Sequence, residues 1–214
     1  YRDHAGDTLD GYGSSFFPTT LMLNDILALQ YLYGVNTTHK AGNDAYSWDA
    51  AASVFETIWD AGGNDTIDAS NQTQGVSINL NQATWSSIGK AFSNEQGMVR
   101  DALTIAYGTV IENATGSAYA DTLTGNAVDN TLDGLDGADS LYGDKDADVL
   151  TGGQGNVLLY GQAGTDWVPY KRGVWCRDGQ SGWRNGHGGG WRRYLDQHRK
   201  RRQIRLCRQP DGRL

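Results

Sequence analysis

The sequence predicts an all-β fold in which short strands stack into a narrow solenoid, preceded by irregular short strands and one N-terminal helix. Three observations carry that expectation. A nine-residue period runs through residues 114–167, glycine fills one column of it and leucine another. Charge is also segregated along the chain. Residues 1–166 hold 5 Lys+Arg against 22 Asp+Glu, whereas residues 167–214 hold 13 against 3, within a whole-chain net charge of −7. Both cysteines, Cys176 and Cys207, lie in the second part, so the first is an acidic protein without a disulfide framework. No apolar run approaches the roughly 18 residues of a spanning helix, so no transmembrane segment is expected. No basic-then-apolar signal pattern precedes Tyr1, and a chain that opens on tyrosine reads as the downstream part of something longer.

Taken in order, residues 18–34 (PTTLMLNDILALQYLYG) predict the one clear helix. Pro18 with Thr19 or Thr20 gives a start, Gly34 gives a stop, and Met22, Ile26, Leu29 and Tyr33 recur on one face. Packing is its simplest role. Residues 35–113 read as short strands between glycine and asparagine turns. Within them, Trp59-Asp60-Ala61-Gly62-Gly63-Asn64-Asp65 places two carboxylates around a Gly-Gly that frees backbone carbonyls, and Glu112 is positioned to close such a site. Either acid could equally be a solvated surface residue.

The repeats follow as ATGSAYADT, LTGNAVDNT, LDGLDGADS, LYGDKDADV, LTGGQGNVL and LYGQAGTDW. Gly116, Gly125, Gly134, Gly143, Gly152 and Gly161 share a column, and so do Asp121, Asn130, Asp139, Asp148, Val157 and Asp166. This is the glycine-rich nonapeptide pattern of RTX proteins. Glycine lets each turn adopt positive φ and aim its carbonyls at one point, while the strand buries a single large apolar residue. One repeat alone buries almost nothing, so consecutive copies must share a core. A Gly/Asp-rich flexible linker is the plain alternative, but linkers do not hold leucine in a nine-residue register.

If two repeats complete a coil, as in the parallel β-roll of RTX proteins, residues 18 apart stack. Asp121 then meets Asp139, and Asp148 meets Asp166. Carboxylates about 4.8 Å apart repel by roughly 3 kcal/mol at an effective dielectric of 20, so a cation is expected between them. Oxygen ligands without His or Cys select a hard cation, and a flexible carbonyl-rich turn favours calcium over magnesium. The expected ligand residues in the repeats are Gly116, Asp121, Gly134, Gly137, Asp139, Gly143, Asp146, Asp148, Gly161, Gly164 and Asp166. Val157 removes the acid from its turn, so an ion between Asp139 and Val157 should be weak or absent. Asn130 offers an uncharged oxygen and an intermediate pairing with Asp148.

The order YRDHAGDTL, LNDILALQYLYG, AGNDAYSW, IWDAGGNDTIDAS, GVSINL, VIENATGSAYADTLTGN and then the nonapeptides resembles the C-terminal region of serralysin-type (M10 family) secreted zinc metalloproteases. The resemblance implies a calcium-loaded β-roll, passage through a type I secretion apparatus and folding in an extracellular, calcium-rich medium. It also implies that Gly42, Asn43, Asp60, Gly62, Gly63, Asp65 and Glu112 are calcium ligands ahead of the repeats. Those proteases carry H-E-x-x-H-x-x-G-x-x-H, whereas His4, His39, His187 and His198 are isolated here. Tyr1 resembles the tyrosine that ends the family's Met-turn. No catalytic residue is therefore assigned, and zinc is expected only if a catalytic domain lies upstream. The implied organisation is 1–34 as the end of a catalytic-like domain, 35–113 as the β region, 114–167 as the roll and 168–214 as a basic tail.

The tail's arginines interleaved with tryptophans suit phosphate binding, but a different origin is preferred. Back-translating Leu195 to Pro210 with allowed codons and reading one nucleotide later can give LTSIENVVRSDYADSL, close to the segment from Thr109 to Leu123. The same shift over Gly173 to Gly182 can yield ASGVGTVSL, similar to Gly75 to Leu80. A frameshift near Asp166 is the expectation, with an unstructured tail and no nucleic-acid partner. The functional expectation is a calcium-binding module of a secreted serralysin-like endopeptidase, inactive by itself. An RTX adhesin or surface protein segment is the alternative, and an upstream H-E-x-x-H would separate the two.

Overall fold

The computed structural model describes residues 18–94 and 97–170, with the backbone of 174–178, 183–186 and 190–193. The Tyr1 and His4 expectations fall outside the described residues. One helix, α1 (Leu23–Tyr33), precedes β1 (Ala45–Tyr46), β2 (Glu56–Ile58), β3 (Thr66–Asp68), β4 (Ser77–Asn79), β5 (Trp85–Asn94) and β6 (Gly97–Ile105). The repeats form β7 (Asn113–Thr115), β8 (Thr122–Thr124), β9 (Thr131–Asp133), β10 (Ser140–Tyr142), β11 (Lys145–Asp146), β12 (Val149–Thr151), β13 (Leu158–Tyr160) and β14 (Ala163–Gly164). Then come β15 (Asp166–Tyr170), β16 (Val174–Asp178), β17 (Trp183–Gly186) and β18 (Gly190–Arg193).

Alternate repeat strands go to opposite sheets. One sheet runs β1-β3-β7-β9-β12-β15-β16 and the other β18-β17-β13-β10-β8-β4-β5-β6-β2. Pairing is parallel from β1 to β15 in the first sheet and from β4 to β13 in the second. Three-residue strands cannot stand alone, and the register shows what joins them. Ile67, Ala114, Leu132 and Leu150 align on one side, and Ile78, Leu123, Leu141 and Leu159 on the other, all fully buried. Each large aliphatic side chain contributes about 1.5–3 kcal/mol by leaving water, so the narrow core is an aliphatic ladder two residues wide. Leu123, Leu141 and Leu159 are directly paired, which makes 18 residues one coil.

The helix is shorter than its sequence pattern. It starts at Leu23, where Asp25 Oδ2 accepts the Met22 amide at 3.2 Å, and stops at Gly34 with φ +83°. Thr19 and Thr20 do not cap it. They line the edge of β2 instead: Thr19 N donates to Phe55 O, and Thr57 N donates to Thr20 Oγ1. Of the expected apolar face, Ile26 is buried, whereas Leu29 is 43% and Tyr33 82% exposed. Apolar residues surround this helix, so sequence alone does not single out its inner face.

The antiparallel hairpin of β5 and β6, with its register irregularities after Ser86, was not anticipated. It joins the second sheet beside β4 and carries β2 on its far edge. Where an unstructured tail is the expectation, β16 pairs antiparallel with β15, and β17 pairs antiparallel with β13 and β18. The remaining tail residues lie outside those described. Among the described residues, no helix is long and apolar enough to cross a membrane.

Candidate metal centre

Oxygen-rich regions lie in the turns that carry the chain from one sheet to the other. In the first, ahead of the repeats, carboxylate oxygens of Asp44, Asp60 and Asp65 lie within 4.8 Å of one another. Asp60 and Asp65 are buried, which like charges resist unless something offsets them. The Tyr46 hydroxyl donates to Asp60 Oδ2 at 2.6 Å, and Gly62 N donates to Asp60 Oδ1 at 2.8 Å. Asp65 Oδ1 accepts the Asp44 amide at 2.8 Å, and Glu112 Oε2 accepts the Asp65 amide at 2.8 Å. Asp65 Oδ2 has no hydrogen-bond partner although it is buried. Burial pushes the Asp65 and Glu112 carboxyls above their ordinary values, and the amides they accept pull them partly back.

The turn itself requires glycine. At Gly63, φ is +153° and a Cβ would lie 1.9 Å from Gly42 O and 2.9 Å from Asp65 Oδ1. Asn43 Oδ1 accepts the Asn64 amide at 2.9 Å, so Gly42 and Asn43 are brought beside Gly63 and Asn64.

The second region is the column of sixth-position residues inside the repeats, which divides between the two edges as Asp121-Asp139-Val157 and Asn130-Asp148-Asp166. Asp139 Oδ1 accepts the Asp121 amide at 3.0 Å, and Asp166 Oδ1 accepts the Asp148 amide at 3.2 Å. The 18-residue pairs are therefore neighbours, linked by carboxylate-to-amide bonds between coils. Asp139 Oδ2 and Asp148 Oδ2 are buried without a hydrogen-bond partner. Burial, reinforced by neighbouring aspartates, pushes both carboxyls up to about 7. Gly116, Gly134, Gly143 and Gly161 each sit against the carboxylate five residues on; at Gly143 a Cβ would lie 2.1 Å from Asp148 Oδ2. Gly137 approaches Asp139 and Tyr119 O, while Gly164 approaches Asp146 O. Asp146 contributes that carbonyl from an exposed residue with φ +62°, and its carboxylate does not join the buried column. Val157 is fully buried in the column, and its turn bridges to the preceding coil through Gln154 N to Leu135 O and Gly137 N to Gln154 O.

Buried oxygens without donors, held in cradles that a Cβ would fill, fit a hard cation with oxygen ligands. Sequence reading missed Asp44, although Gly42-Asn43-Asp44 repeats the Gly63-Asn64-Asp65 triplet and could have flagged it. It also missed Tyr46, whose role depends on a contact 14 residues away.

Residues 24–182 match the family described as Peptidase M10 serralysin C terminal. The chain belongs to this serralysin C-terminal family. Metalloprotease AprA of Pseudomonas entomophila is 37% identical over 61% of this chain and 28% of its own length. Serralysin of Photorhabdus laumondii is 39% identical over 52% of this chain and 24% of its own. Serralysin C of Dickeya chrysanthemi is 36% identical over 48% and 22%. The serralysin C-terminal chain thus spans about a quarter of the length of these curated relatives.

Proposed function

We propose that this serralysin C-terminal chain is a calcium-binding β-roll, the C-terminal module of a secreted metalloendopeptidase. The observation that carries the reading is the set of buried, donor-less carboxylate oxygens on Asp65, Asp139 and Asp148. The proposed ligand carboxylates are Asp44, Asp60, Asp65, Glu112, Asp139, Asp148 and Asp166. Carbonyls of Gly42, Gly62, Gly63, Gly134, Gly137, Gly143, Asp146, Gly161 and Gly164, with Asn43, complete the oxygen set. Calcium supplies positive charge where buried acids otherwise repel. Extracellular sites of this kind bind with Kd of about 10⁻⁴ to 10⁻³ M, so the module orders outside a cell and stays open within one.

The same proposal includes type I secretion and an extracellular destination, which the family match supports, and zinc only where a catalytic domain lies upstream. Residues 35–113 are the β region and 114–167 the roll. The tail from 168 is proposed to be frame-shifted, and the coding nucleotides decide it.

The test is a calcium titration of chelator-treated protein, followed by circular dichroism and melting. Calcium raises the β-sheet signal and the melting temperature, and Asp148→Ala shifts the midpoint several-fold to higher calcium. Unchanged compactness and melting after chelation would overturn the reading.

A further inference from the structure

The six repeat turns share glycine at the first position and an acid, amide or valine at the sixth, but they are not closed in the same way. In the turns starting at Gly134, Gly143, Gly152 and Gly161, the second residue is left-handed: Leu135 φ +62°, Asp144 +80°, Gly153 +69° and Gln162 +67°. Ser117 and Asn126, the second residues of the first two turns, do not have positive φ. Their side chains turn back onto the sixth residue instead.

In the first turn, Asp121 has every oxygen occupied. Oδ2 accepts the Ser117 amide at 2.6 Å, while Oδ1 accepts the Ser117 hydroxyl at 2.9 Å and the Val76 amide at 2.7 Å. The second turn has no carboxylate in the column. Asn130 Oδ1 accepts the Asn126 amide at 2.7 Å, and Asn130 Nδ2 donates to Glu112 O at 3.0 Å and Asn126 Oδ1 at 3.1 Å. Asn126 Nδ2 donates to Ile111 O at 2.8 Å and Leu80 O at 3.2 Å. Asn126 is only 7% exposed, and every polar atom of its side chain is bonded. The following coil is the opposite case, with donor-less oxygens in both its turns, on Asp139 and Asp148.

An amide NH₂ carries positive partial charge and satisfies carbonyl oxygens, which is the work a cation does in an RTX turn. We infer that the coil of residues 114–131 is closed by Ser117, Asn126 and Asn130 in place of calcium, forming a metal-independent segment onto which the calcium-requiring coil of 134–148 orders. Gly116 and Asp121 are then structural residues of this chain and hold no ion. The second residue of each turn is the discriminator: a short hydrogen-bonding side chain closes the turn on itself, and a left-handed residue leaves the oxygens for metal. This inference rests on the calcium reading of the later turns.

Hydrogen exchange on the whole chain, in excess chelator and in millimolar calcium, tests it. The Ser117, Thr122, Asn126 and Thr131 amides, whose acceptors lie within or before this coil, keep their protection in both conditions, and the amides of 134–148 gain protection only with calcium. Asn130→Asp removes two amide donors and installs a buried charge, so protection of 126–131 in chelator falls by about tenfold and calcium restores it. If the Ser117, Thr122, Asn126 and Thr131 amides lose protection together with 134–148 in chelator, the inference fails while the calcium reading stands. If neither segment responds to calcium, the calcium reading fails and this inference with it. Undiminished protection in Asn130→Asp also overturns it, because the amide then closes nothing.

Discussion

The cluster ahead of the repeats and the column within them solve one electrostatic problem by different routes. In the column, periodicity does the work: a carboxylate recurs every 18 residues and accepts the backbone amide of the coil before it. Ahead of the repeats, Asp44, Asp65 and Glu112 make the same amide bonds with spacings of 21 and 47 residues, because loops and the hairpin of β5 and β6 interrupt the coils. The irregular cluster adds Tyr46 as a donor to Asp60, which the column does not use. The carboxylate-to-amide rung is therefore the physical element that the two regions share, and the nonapeptide is one way of delivering it.

The sharpest way to break that comparison is to fill the irregular turn. Gly63→Ala forces a Cβ to within 1.9 Å of Gly42 O at φ +153°, whereas a Cβ at Gly62 meets nothing within 4 Å. Overpacking against backbone together with a disfavoured φ costs about 3–5 kcal/mol, and the open site costs only the φ strain of about 1–2 kcal/mol. Denaturant unfolding in saturating calcium should rank Gly63→Ala well below Gly62→Ala. Equal losses would mean that the close approach of Gly42 and Gly63 does not hold the cluster together.

The same contrast explains what the sequence revealed. Leu123, Leu132, Leu141, Leu150 and Leu159 announce both sheets because one buried residue per nine fixes strand, face and register together. Asp139 and Asp148 were legible for the same reason. Asp44 was hidden because its partner, Asp65, lies outside the nine-residue period, and Asn126 because its amide reaches Leu80, 46 residues back. The hairpin was hidden behind its interruption: Ser86 and Ile88 face inward with a two-residue period, but Gly89 is buried between them and Lys90, shifting the register. The start of α1 was misplaced because Thr19 and Thr20 resemble helix caps but bond to the edge of β2, whereas its stop at Gly34 was legible.

A smaller effect comes from proton linkage in calcium-depleted protein. Asp139 and Asp148 have folded-state values raised to about 7 by burial, above the ordinary carboxylate value of 3.8. A raised value means that the folded form holds the proton more tightly than the unfolded form. The associated stability is present below about pH 4 and is lost as pH climbs through about 7. Calcium-depleted chain should therefore melt higher at pH 5 than at pH 8, and added calcium should narrow the gap by stabilising the ionised carboxylates. A melting temperature that rises from pH 5 to pH 8 without calcium would contradict the burial of these two acids.

The finest distinction between the two regions is the tyrosine. Tyr46→Phe deletes the hydroxyl that donates to Asp60 Oδ2 at 2.6 Å, but keeps the ring that lies 3.9 Å beneath the Lys40 ammonium. A hydrogen bond to a charged acceptor contributes about 1.5–3 kcal/mol, and a cation bound at Asp60 offsets part of its loss. The variant should therefore lose about 1 kcal/mol in calcium and more without it. Because among the described residues Asp139 and Asp148 bond backbone amides and not tyrosine, hydrogen exchange should localise the change to residues 42–65 and leave 134–148 as in the parent. A loss spread evenly over both segments would show that the cluster and the column unfold as one unit, so that the irregular coils and the periodic ones share a single cooperative transition.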